Sequence, residues 1–387
     1  MRNWKFTGHT VTLLTVLAIG ITSLNTAQAL SSISQDTPAV QLCQTGFSPD
    51  GKTITSSTDD GHVRLWDIGS AALLHDFTMN KGCVNTVFTA DSQRLFTSWL
   101  GSDMSGKDAL TILWDVQTGK EIRRFEGKTV ISDNGQMILI VSKSPQELWD
   151  ASSGSLIHSF VQSLNALPGG LFSPDKQRFI SDNFPISKAE LWNMKTGELL
   201  FTFPQQNAGW ISLVQFLPDN EHVLIGNDNN DVALWNLNTL SIEQTFENTA
   251  QRPRFHFYSS DGRFYMVLLE RDGTVRVWDA LTSDQEKSFP TEIPSEYISD
   301  SVVSSDGQLL LIGLYGGVSQ LWNMKTGILA RQFFPPANSN ITQWNDTRTF
   351  VKFSPDNAQV LIGYSSETIH LWDLRTGAER IYGELSS

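Results

Sequence analysis

The chain has 387 residues, of which 18% are charged and 40% are hydrophobic, so it is too apolar and too poor in charge for a disordered protein. Asp and Glu outnumber Lys and Arg by 41 to 28, which gives a net charge of −13. Lys and Arg are the residues that bind phosphates and anionic lipids, so this balance argues against a nucleic-acid partner and against an anionic membrane surface. Two cysteines are too few for a disulfide framework or a cysteine-based zinc site.

Residues 1–29 have the organisation of a secretory signal peptide. Arg2 and Lys5 form a positive start, residues 11–24 are uncharged and largely apolar, and residues 27–29 (Ala-Gln-Ala) give a small-x-small cleavage site. The apolar stretch is shorter than the roughly 20 residues that cross a bilayer, although an uncleaved signal anchor remains the alternative. We therefore expect a cleaved signal peptide, a short segment at residues 30–39, and a secreted or periplasmic protein without membrane insertion. A bacterial periplasm fits better than a eukaryotic secretory route.

Residues 40–387 contain eight copies of one unit. A hydrophobic residue, a Trp and an Asp or Asn form a triplet that recurs every 35 to 50 residues. Such a period is typical of repeat proteins, in which each copy is one small supersecondary structure. Because a large apolar residue in every repeat is usually a packing group, we interpret these Trp residues as structural. They are Trp66, Trp114, Trp149, Trp192, Trp235, Trp278, Trp322 and Trp372.

Turn signals keep the same phase in each unit. A sequence related to Ser-Pro-Asp-Gly, as in residues 48–51, precedes each triplet, and a Thr-Gly pair often follows it, as in residues 118–119. Short runs rich in Val, Ile, Leu, Phe and Thr lie between these turns, and no stretch has a sustained 3.6-residue period. Each unit therefore predicts four short strands, and the mature chain predicts an all-β fold.

With these motifs the chain resembles the WD40-repeat family over about residues 40–385. The resemblance implies a single β-propeller with one four-stranded blade per repeat. Eight repeats predict eight blades. A seven-bladed ring is the alternative, since the 35-residue spacing before Trp149 marks an irregular unit. Enough chain follows Trp372 for an outer strand, so we expect the ring to close without borrowing an N-terminal strand.

The polar positions of the family pattern are poorly kept. Family members carry a Gly-His before the inner strand and an Asp six residues before the Trp, and only Asp60, Asp108 and Asp272 match the latter. We therefore expect the family's hydrogen-bond network to be absent or altered. Residues 228–231 (Asp-Asn-Asn-Asp) look like the start of a calcium loop but lack the downstream Glu, so we interpret them as a solvated turn and expect no metal.

The sequence contains no evident catalytic constellation. It has neither a glycine-rich phosphate loop nor a Gly-x-Ser-x-Gly elbow. Residues 115–119 match the Asp-x-x-Thr-Gly start of a motif found in eight-bladed quinoproteins, but the Trp that completes that motif is missing. We therefore expect no catalytic residue and no cofactor. An exported quinone- or metal-dependent propeller enzyme and a self-associating structural component of the cell envelope are the alternative functions.

Cys43 and Cys83 lie near the starts of the first two inner strands. Stacked sheets are about 10 Å apart, whereas a disulfide needs Cα atoms within about 7 Å. We therefore expect two buried free thiols, unless the inner strands converge near the axis.

The resemblance implies that partners bind the face with the loops into the inner strands and the turns between second and third strands. At those positions three consecutive blades carry aromatic residues and Arg, which are enriched in binding hot spots. We predict a monomeric, non-enzymatic scaffold that binds a protein or peptide there, and the arginines favour a segment with carboxylates and an apolar anchor. The alternative is that these side chains only pack between blades. The predicted patch is Trp210, Arg252, Arg271, Tyr297, Tyr315 and Trp344.

Overall fold

The computed structural model contains a compact unit, Val40–Ser387, that is built from β-strands alone in its described parts. Within those parts no helix is long and apolar enough to cross a bilayer. The predicted signal peptide and the segment that follows it lie outside the described residues. The described residues are 40–79, 82–102, 106, 108–132, 134–142, 145–151, 153–160, 172–183, 188–204, 211–227, 232–246, 254–260, 263–269, 272–279, 281–282, 285–291, 293–294, 297–335, 348–364 and 368–383.

The strands form eight antiparallel sheets, numbered here as blades 1 to 8 in chain order. Blade 1 contains β1 (Leu42–Phe47), β2 (Thr53–Thr58), β3 (His62–Asp67) and β4 (Leu73–Thr78), and blade 2 contains β5 (Val84–Phe88), β6 (Arg94–Trp99), β7 (Leu110–Asp115) and β8 (Glu121–Glu126). Blade 3 contains β9 (Thr129–Ile131), β10 (Met137–Ile140), β11 (Gln146–Asp150) and β12 (Leu156–Phe160), and blade 4 contains β13 (Arg178–Asn183), β14 (Lys188–Asn193) and β15 (Leu199–Thr202). Blade 5 contains β16 (Ile211–Phe216), β17 (His222–Asn227), β18 (Val232–Asn236) and β19 (Ser241–Phe246), and blade 6 contains β20 (Arg254–Ser260), β21 (Arg263–Leu269), β22 (Thr274–Asp279) and β23 (Gln285–Pro290). Blade 7 contains β24 (Ile298–Val303), β25 (Leu309–Leu314), β26 (Ser319–Asn323) and β27 (Ile328–Phe333), and blade 8 contains β28 (Thr349–Phe353), β29 (Gln359–Tyr364), β30 (Ile369–Asp373) and β31 (Glu379–Tyr382).

Eight blades confirm the all-β propeller prediction and exclude the seven-bladed alternative. Seven blades have four strands within the described residues. In blade 4 only three strands are described, and a single bridge between Phe172 and Phe179 stands where the inner strand is predicted. The irregular third unit is also a complete blade, with a three-residue inner strand at Thr129–Ile131.

Each repeated Trp packs against an aromatic side chain from the preceding blade. The fourth strand of a blade ends near a Phe or Tyr whose ring centroid lies 4.6 to 6.3 Å from the Trp of the next blade. The Trp side chains therefore lie in contacts between neighbouring blades, and these contacts help to hold the blades together. The eight pairs are Phe77–Trp114, Phe125–Trp149, Phe160–Trp192, Phe203–Trp235, Phe246–Trp278, Phe289–Trp322, Phe333–Trp372 and Tyr382–Trp66.

The last of these pairs closes the ring without an exchanged strand. All four strands of blade 8 come from residues 349–382, as the sequence predicts. Arg380 Nη1 donates hydrogen bonds to the backbone oxygens of Ile68 at 2.6 Å and Gly69 at 2.8 Å, and the Tyr382 hydroxyl donates to the Ile68 oxygen at 3.2 Å. Contacts between side chains and turns of blades 8 and 1 therefore hold the seam.

The expectation of two free thiols is wrong, because Cys43 and Cys83 form a disulfide with Cα atoms 5.5 Å apart. The 10 Å spacing of stacked sheets does not hold at the inner strands, which converge toward the axis. There the Thr86 backbone N–H donates to Gln44 Oε1 at 2.7 Å across the two blades. The β1–β2 register also skips Cys43, so a bulge leaves this residue outside the ladder.

Candidate partner-binding face

The propeller has two ends with different turns. The lower face, as named here, carries the turns between first and second strands and those between third and fourth strands. The upper face carries the turns between second and third strands and the loops that enter each inner strand. The order of the antiparallel strands in every blade dictates this division.

The acidic side chains of the lower face largely accept hydrogen bonds from groups within their own turns. In the triplet Asp or Asn of all eight blades, a side-chain oxygen accepts a hydrogen bond from the backbone N–H three residues later. In blade 2, Asp115 Oδ1 accepts 2.7 Å bonds from both the Thr118 hydroxyl and the Thr118 N–H, and these bonds lower the pKa of the carboxyl. The Asp-x-x-Thr-Gly sequence at residues 115–119 is therefore turn chemistry that recurs around the ring.

The three Asp residues at the family-pattern position accept hydrogen bonds from residues close to them in the chain. Asp60 Oδ1 accepts from the Thr58 hydroxyl at 2.6 Å, and Asp108 Oδ2 accepts from the Ser102 hydroxyl at 2.5 Å, so each carboxylate serves its own turn. Asp272 Oδ1 similarly accepts from the Thr274 N–H at 2.8 Å. The Trp side chains differ as well. Trp114 Nε1 donates to Thr97 Oγ1 at 2.8 Å, whereas the buried Trp372 Nε1 has no hydrogen-bond partner.

Two predicted site residues meet at the top of blade 7. Tyr297 precedes β24 and Tyr315 follows β25, and the Tyr315 N–H donates to the Tyr297 backbone oxygen at 2.9 Å. The equivalent bond in blade 1 runs from the Asp59 N–H to the Gln41 oxygen, also at 2.9 Å. The strand order therefore brings the two positions together in both blades. The Tyr297 side chain is 55% exposed, and Tyr315 is partly buried.

A third aromatic residue of this region, Phe334, was not predicted from the sequence. It follows β27 directly, is 64% exposed, and its backbone oxygen accepts a hydrogen bond from the Tyr364 hydroxyl at 3.3 Å. Its signal is the Phe-Phe pair at residues 333–334. Phe333 fills the repeated aromatic position inside the ring, so the next residue is left outside the core.

The glycine pair at 316–317 makes the turn that carries Tyr315. Both residues have positive φ values, 90° and 89°, a region that side chains rarely adopt. The Gly317 N–H donates to the Leu314 oxygen, and the Leu314 N–H donates to the Val318 oxygen. The turn is thus tight and presents no side chains beyond Tyr315 and Val318.

The remaining predicted residues of the patch, Trp210, Arg252, Arg271 and Trp344, lie outside the described residues, as do residues 228–231. Their part in the patch therefore stays a prediction. Within the parts of the chain that the structure describes, no group of three or more His, Cys, Asp or Glu side chains could hold a metal ion.

Comparison with known proteins matches one of the repeats to a family model. The family model described as "WD domain, G-beta repeat" matches residues 29–67. Telomerase protein component 1 of Rattus norvegicus is 24% identical over 60% of this chain and 8% of its own length. A guanine nucleotide-binding protein subunit beta of Solanum tuberosum is 22% identical over 55% of this chain and 57% of its own, and human pre-mRNA-processing factor 17 is 20% identical over 60% and 49%. The chain thus spans about half or less of the length of these relatives.

Solved structures agree on the fold. The C-terminal WD40 domain of Sif2 superposes with a TM-score of 0.65 at 15% identity, covering 84% of this chain and 93% of that domain. The computationally designed Ika8 protein gives 0.64 at 17% identity, over 87% and 97%. The dihydro-heme d1 dehydrogenase NirN gives 0.66 at 14% identity, over 87% and 74%, and at this identity the likeness concerns the fold alone. Eight repeats with a Trp-Asp or Trp-Asn pair fold into eight blades, and the matched repeat and the WD40-domain neighbour support a WD40-repeat family protein.

Proposed function

We propose that this protein is an exported, monomeric, non-enzymatic scaffold that binds a protein or peptide on the upper face of blade 7. The observation that carries the proposal is the exposure of Tyr297 and Phe334 at the upper end of blade 7. These two residues and Tyr315 are called here the blade 7 aromatic patch. Tyr297 and Phe334 are exposed aromatic side chains on the loops on either side of blade 7. Aromatic residues supply large contact areas with little loss of conformational freedom, which is why they recur in binding hot spots.

The lower face offers a weaker case for partner binding. Its turn carboxylates already accept hydrogen bonds from their own Ser and Thr residues, as between Ser354 and Asp356 at 2.6 Å. A partner would have to compete with these local bonds. At the patch, in contrast, binding would cover apolar ring surface that now faces water, and this burial is favourable.

The chemistry of the partner follows from the predicted arginines. If Arg252 and Arg271 adjoin the blade 7 aromatic patch, the segment bound there should carry carboxylates beside an apolar or aromatic anchor. The net charge of −13 makes a long anionic partner such as a nucleic acid unfavourable. We therefore propose a peptide or protein segment with a few acidic residues and one large apolar residue.

Export is supported by the disulfide. Bonds of this kind persist in the periplasm and outside cells, and they are rare in the reducing cytosol. The signal-like residues 1–29 and the Cys43–Cys83 bond are independent features that favour the same compartments. N-terminal sequencing of the mature protein would test the cleavage that we propose after Ala29.

Affinity capture with a matched pair of variants tests the binding proposal. The double variant Tyr297→Ala, Phe334→Ala truncates two exposed rings, and Ile328→Ala removes another side chain that is 64% exposed but lies at the lower end of β27. We expect the affinity for the partner to fall by about 30-fold or more with the double variant and to stay unchanged with Ile328→Ala, since the loss of even one hot-spot side chain costs about 2 kcal/mol or more.

Equal capture by the double variant and the unmodified protein would contradict the binding face. A stoichiometric chromophore or metal in the purified protein would contradict its non-enzymatic character. Light scattering that shows discrete oligomers would contradict the monomer and favour a self-associating envelope component.

A further inference from the structure

The disulfide ties the first strand of the ring to the second blade. Cys43 lies in β1, Cys83 directly precedes β5, and the sequence separation of 40 residues encloses the other three strands of blade 1. The disulfide therefore joins the inner-strand segments of blades 1 and 2 covalently at the upper face. Both cysteines are accessible in part, and Cys83 is the more exposed of the two.

One turn residue holds both cysteine-bearing segments in place. The Gln41 N–H donates to Asp59 Oδ1 at 2.8 Å, and the Asp59 N–H donates back to the Gln41 oxygen at 2.9 Å. The Gly82 N–H donates to the Asp59 backbone oxygen at 2.9 Å. Gln41 is two residues before Cys43, and Gly82 is the residue before Cys83. The turn at Asp59 thus aligns the two segments independently of the disulfide.

The first strand, β1, lacks the chain connection to the preceding blade of the ring that the other inner strands have. Like the inner strands of the other described four-stranded blades, β1 is an edge strand that pairs only with the second strand of its blade, β2. In each later blade the chain runs into the inner strand from the fourth strand of the preceding blade. Blade 8 precedes β1 around the ring, but its fourth strand is at the opposite end of the chain from β1. Against blade 8, β1 is held by packing, in which Leu42 and Thr45 lie close to Gly363. Terminal strands fray unless they are tied down.

We propose that the Cys43–Cys83 pair is a redox-dependent clamp that keeps β1 docked between blades 8 and 2, and that Asp59 is its positioning residue. In the closing step the two thiols lose two protons and two electrons, and a disulfide-bearing oxidant accepts them to become two thiols. A dithiol reductant reverses the step by attacking the exposed Cys83 sulfur through a mixed disulfide. Opening of the clamp frees β1 locally and leaves the other blades folded.

Hydrogen exchange of the full chain tests the clamp. Amides of Leu42–Phe47 should exchange about ten-fold faster or more after reduction with dithiothreitol, while those of Ile211–Phe216 in blade 5 should keep their rates. The double variant Cys43→Ser, Cys83→Ser should match the reduced protein and should not respond to the reductant. Unchanged exchange in β1 would overturn the proposal. An equal increase in all blades would also overturn it, because the bond would then stabilise the whole ring rather than clamp one strand.

The role of Asp59 is tested by the rate of closure. The reduced, folded protein is exposed to oxidised glutathione, and loss of free thiols is followed over time. We expect Asp59→Ala to slow closure several-fold and Asp59→Asn, which keeps the acceptor for the Gln41 N–H, to close at nearly the original rate. Equal rates for all three proteins would remove Asp59 from the mechanism. Neither experiment involves a binding partner, so the clamp and the blade 7 aromatic patch can fail separately.

Discussion

Removing the Tyr382 ring should open the seam between the last and the first blades. Tyr382 is 2% exposed, packs edge-on against Trp66 at a centroid distance of 6.3 Å, and belongs to a buried cluster that includes Ile54 and Leu371. Truncation of a buried aromatic residue to Ala costs about 3–5 kcal/mol. We expect Tyr382→Ala to lower the free energy of unfolding by an amount in this range.

Two matched variants separate the causes. Tyr382→Phe removes only the hydroxyl, and the Ile68 oxygen keeps its bond from Arg380, so this change should cost about 0.5–1.5 kcal/mol. Phe77→Ala removes the equivalent ring from the seam between blades 1 and 2, where the chain itself also connects the blades. It should cost a similar free energy of unfolding but should not release an end of the ring.

Urea unfolding followed by tryptophan fluorescence gives the free energies, and limited proteolysis under native conditions reports local opening. We expect Tyr382→Ala, and not Phe77→Ala, to expose β31 to protease well below the urea concentration of global unfolding. If Tyr382→Ala lowers the free energy of unfolding by less than about 1 kcal/mol, the closure mechanism is refuted, since truncating a buried aromatic residue costs about 3–5 kcal/mol.

Three further predictions concern single positions. Asp115→Asn should lower stability slightly at pH 7 and should reduce the acid sensitivity of unfolding, because the lowered pKa of Asp115 gives stability that is present above about pH 4 and is lost as the pH falls through the folded pKa. The same fall in urea midpoint between pH 7 and pH 3 for both proteins would contradict this. Ile362→Thr should reduce stability in thermal unfolding by at least about 1 kcal/mol less than Ile312→Thr, a change at the equivalent buried position of blade 7. The reason is that the new hydroxyl at residue 362 can accept a hydrogen bond from Trp372 Nε1, which has no partner. Equal losses of stability for the two variants would disprove this. Asp300→Ala should lower stability by about 1–3 kcal/mol, with Asp300→Asn costing less, because Asp300 Oδ2 accepts the Val351 N–H of the next blade at 3.0 Å; calorimetry that ranks the two variants in the opposite order would refute the bond's role.

The ring architecture could be predicted because the residues that determine it recur in every repeat. The triplet Trp, the Ser-x-Asp turns and the Thr-Gly turns recur in phase, and each one has a local physical role that does not depend on distant chain. The repeated aromatic was visible as well, eleven residues after the Trp in seven repeats and ten in the last. It pairs with the following blade, so its role becomes clear only when the blades are placed side by side.

Other features could not be predicted, because they depend on geometry between repeats. The distance between Cys43 and Cys83 is set by a bulge in β1 and by convergence at the axis, and neither follows from the average spacing of sheets. The sequence signal of Phe334 is the Phe-Phe pair at residues 333–334, but its exposure follows only from Phe333 occupying the core position beside it. Tyr297 and Tyr315 could be singled out from the sequence because equivalent positions recur in each blade.

Photo-crosslinking tests the central claim of a partner-binding upper face most directly. The photoreactive amino acid benzoylphenylalanine is placed in turn at Tyr297, at Phe334 and, as the control, at Ile328, in cells that produce the protein. Our account predicts a covalent adduct with the same partner from Tyr297 and Phe334 and none from Ile328. Adducts formed only from Ile328, or no adduct from either upper-face position, would contradict it.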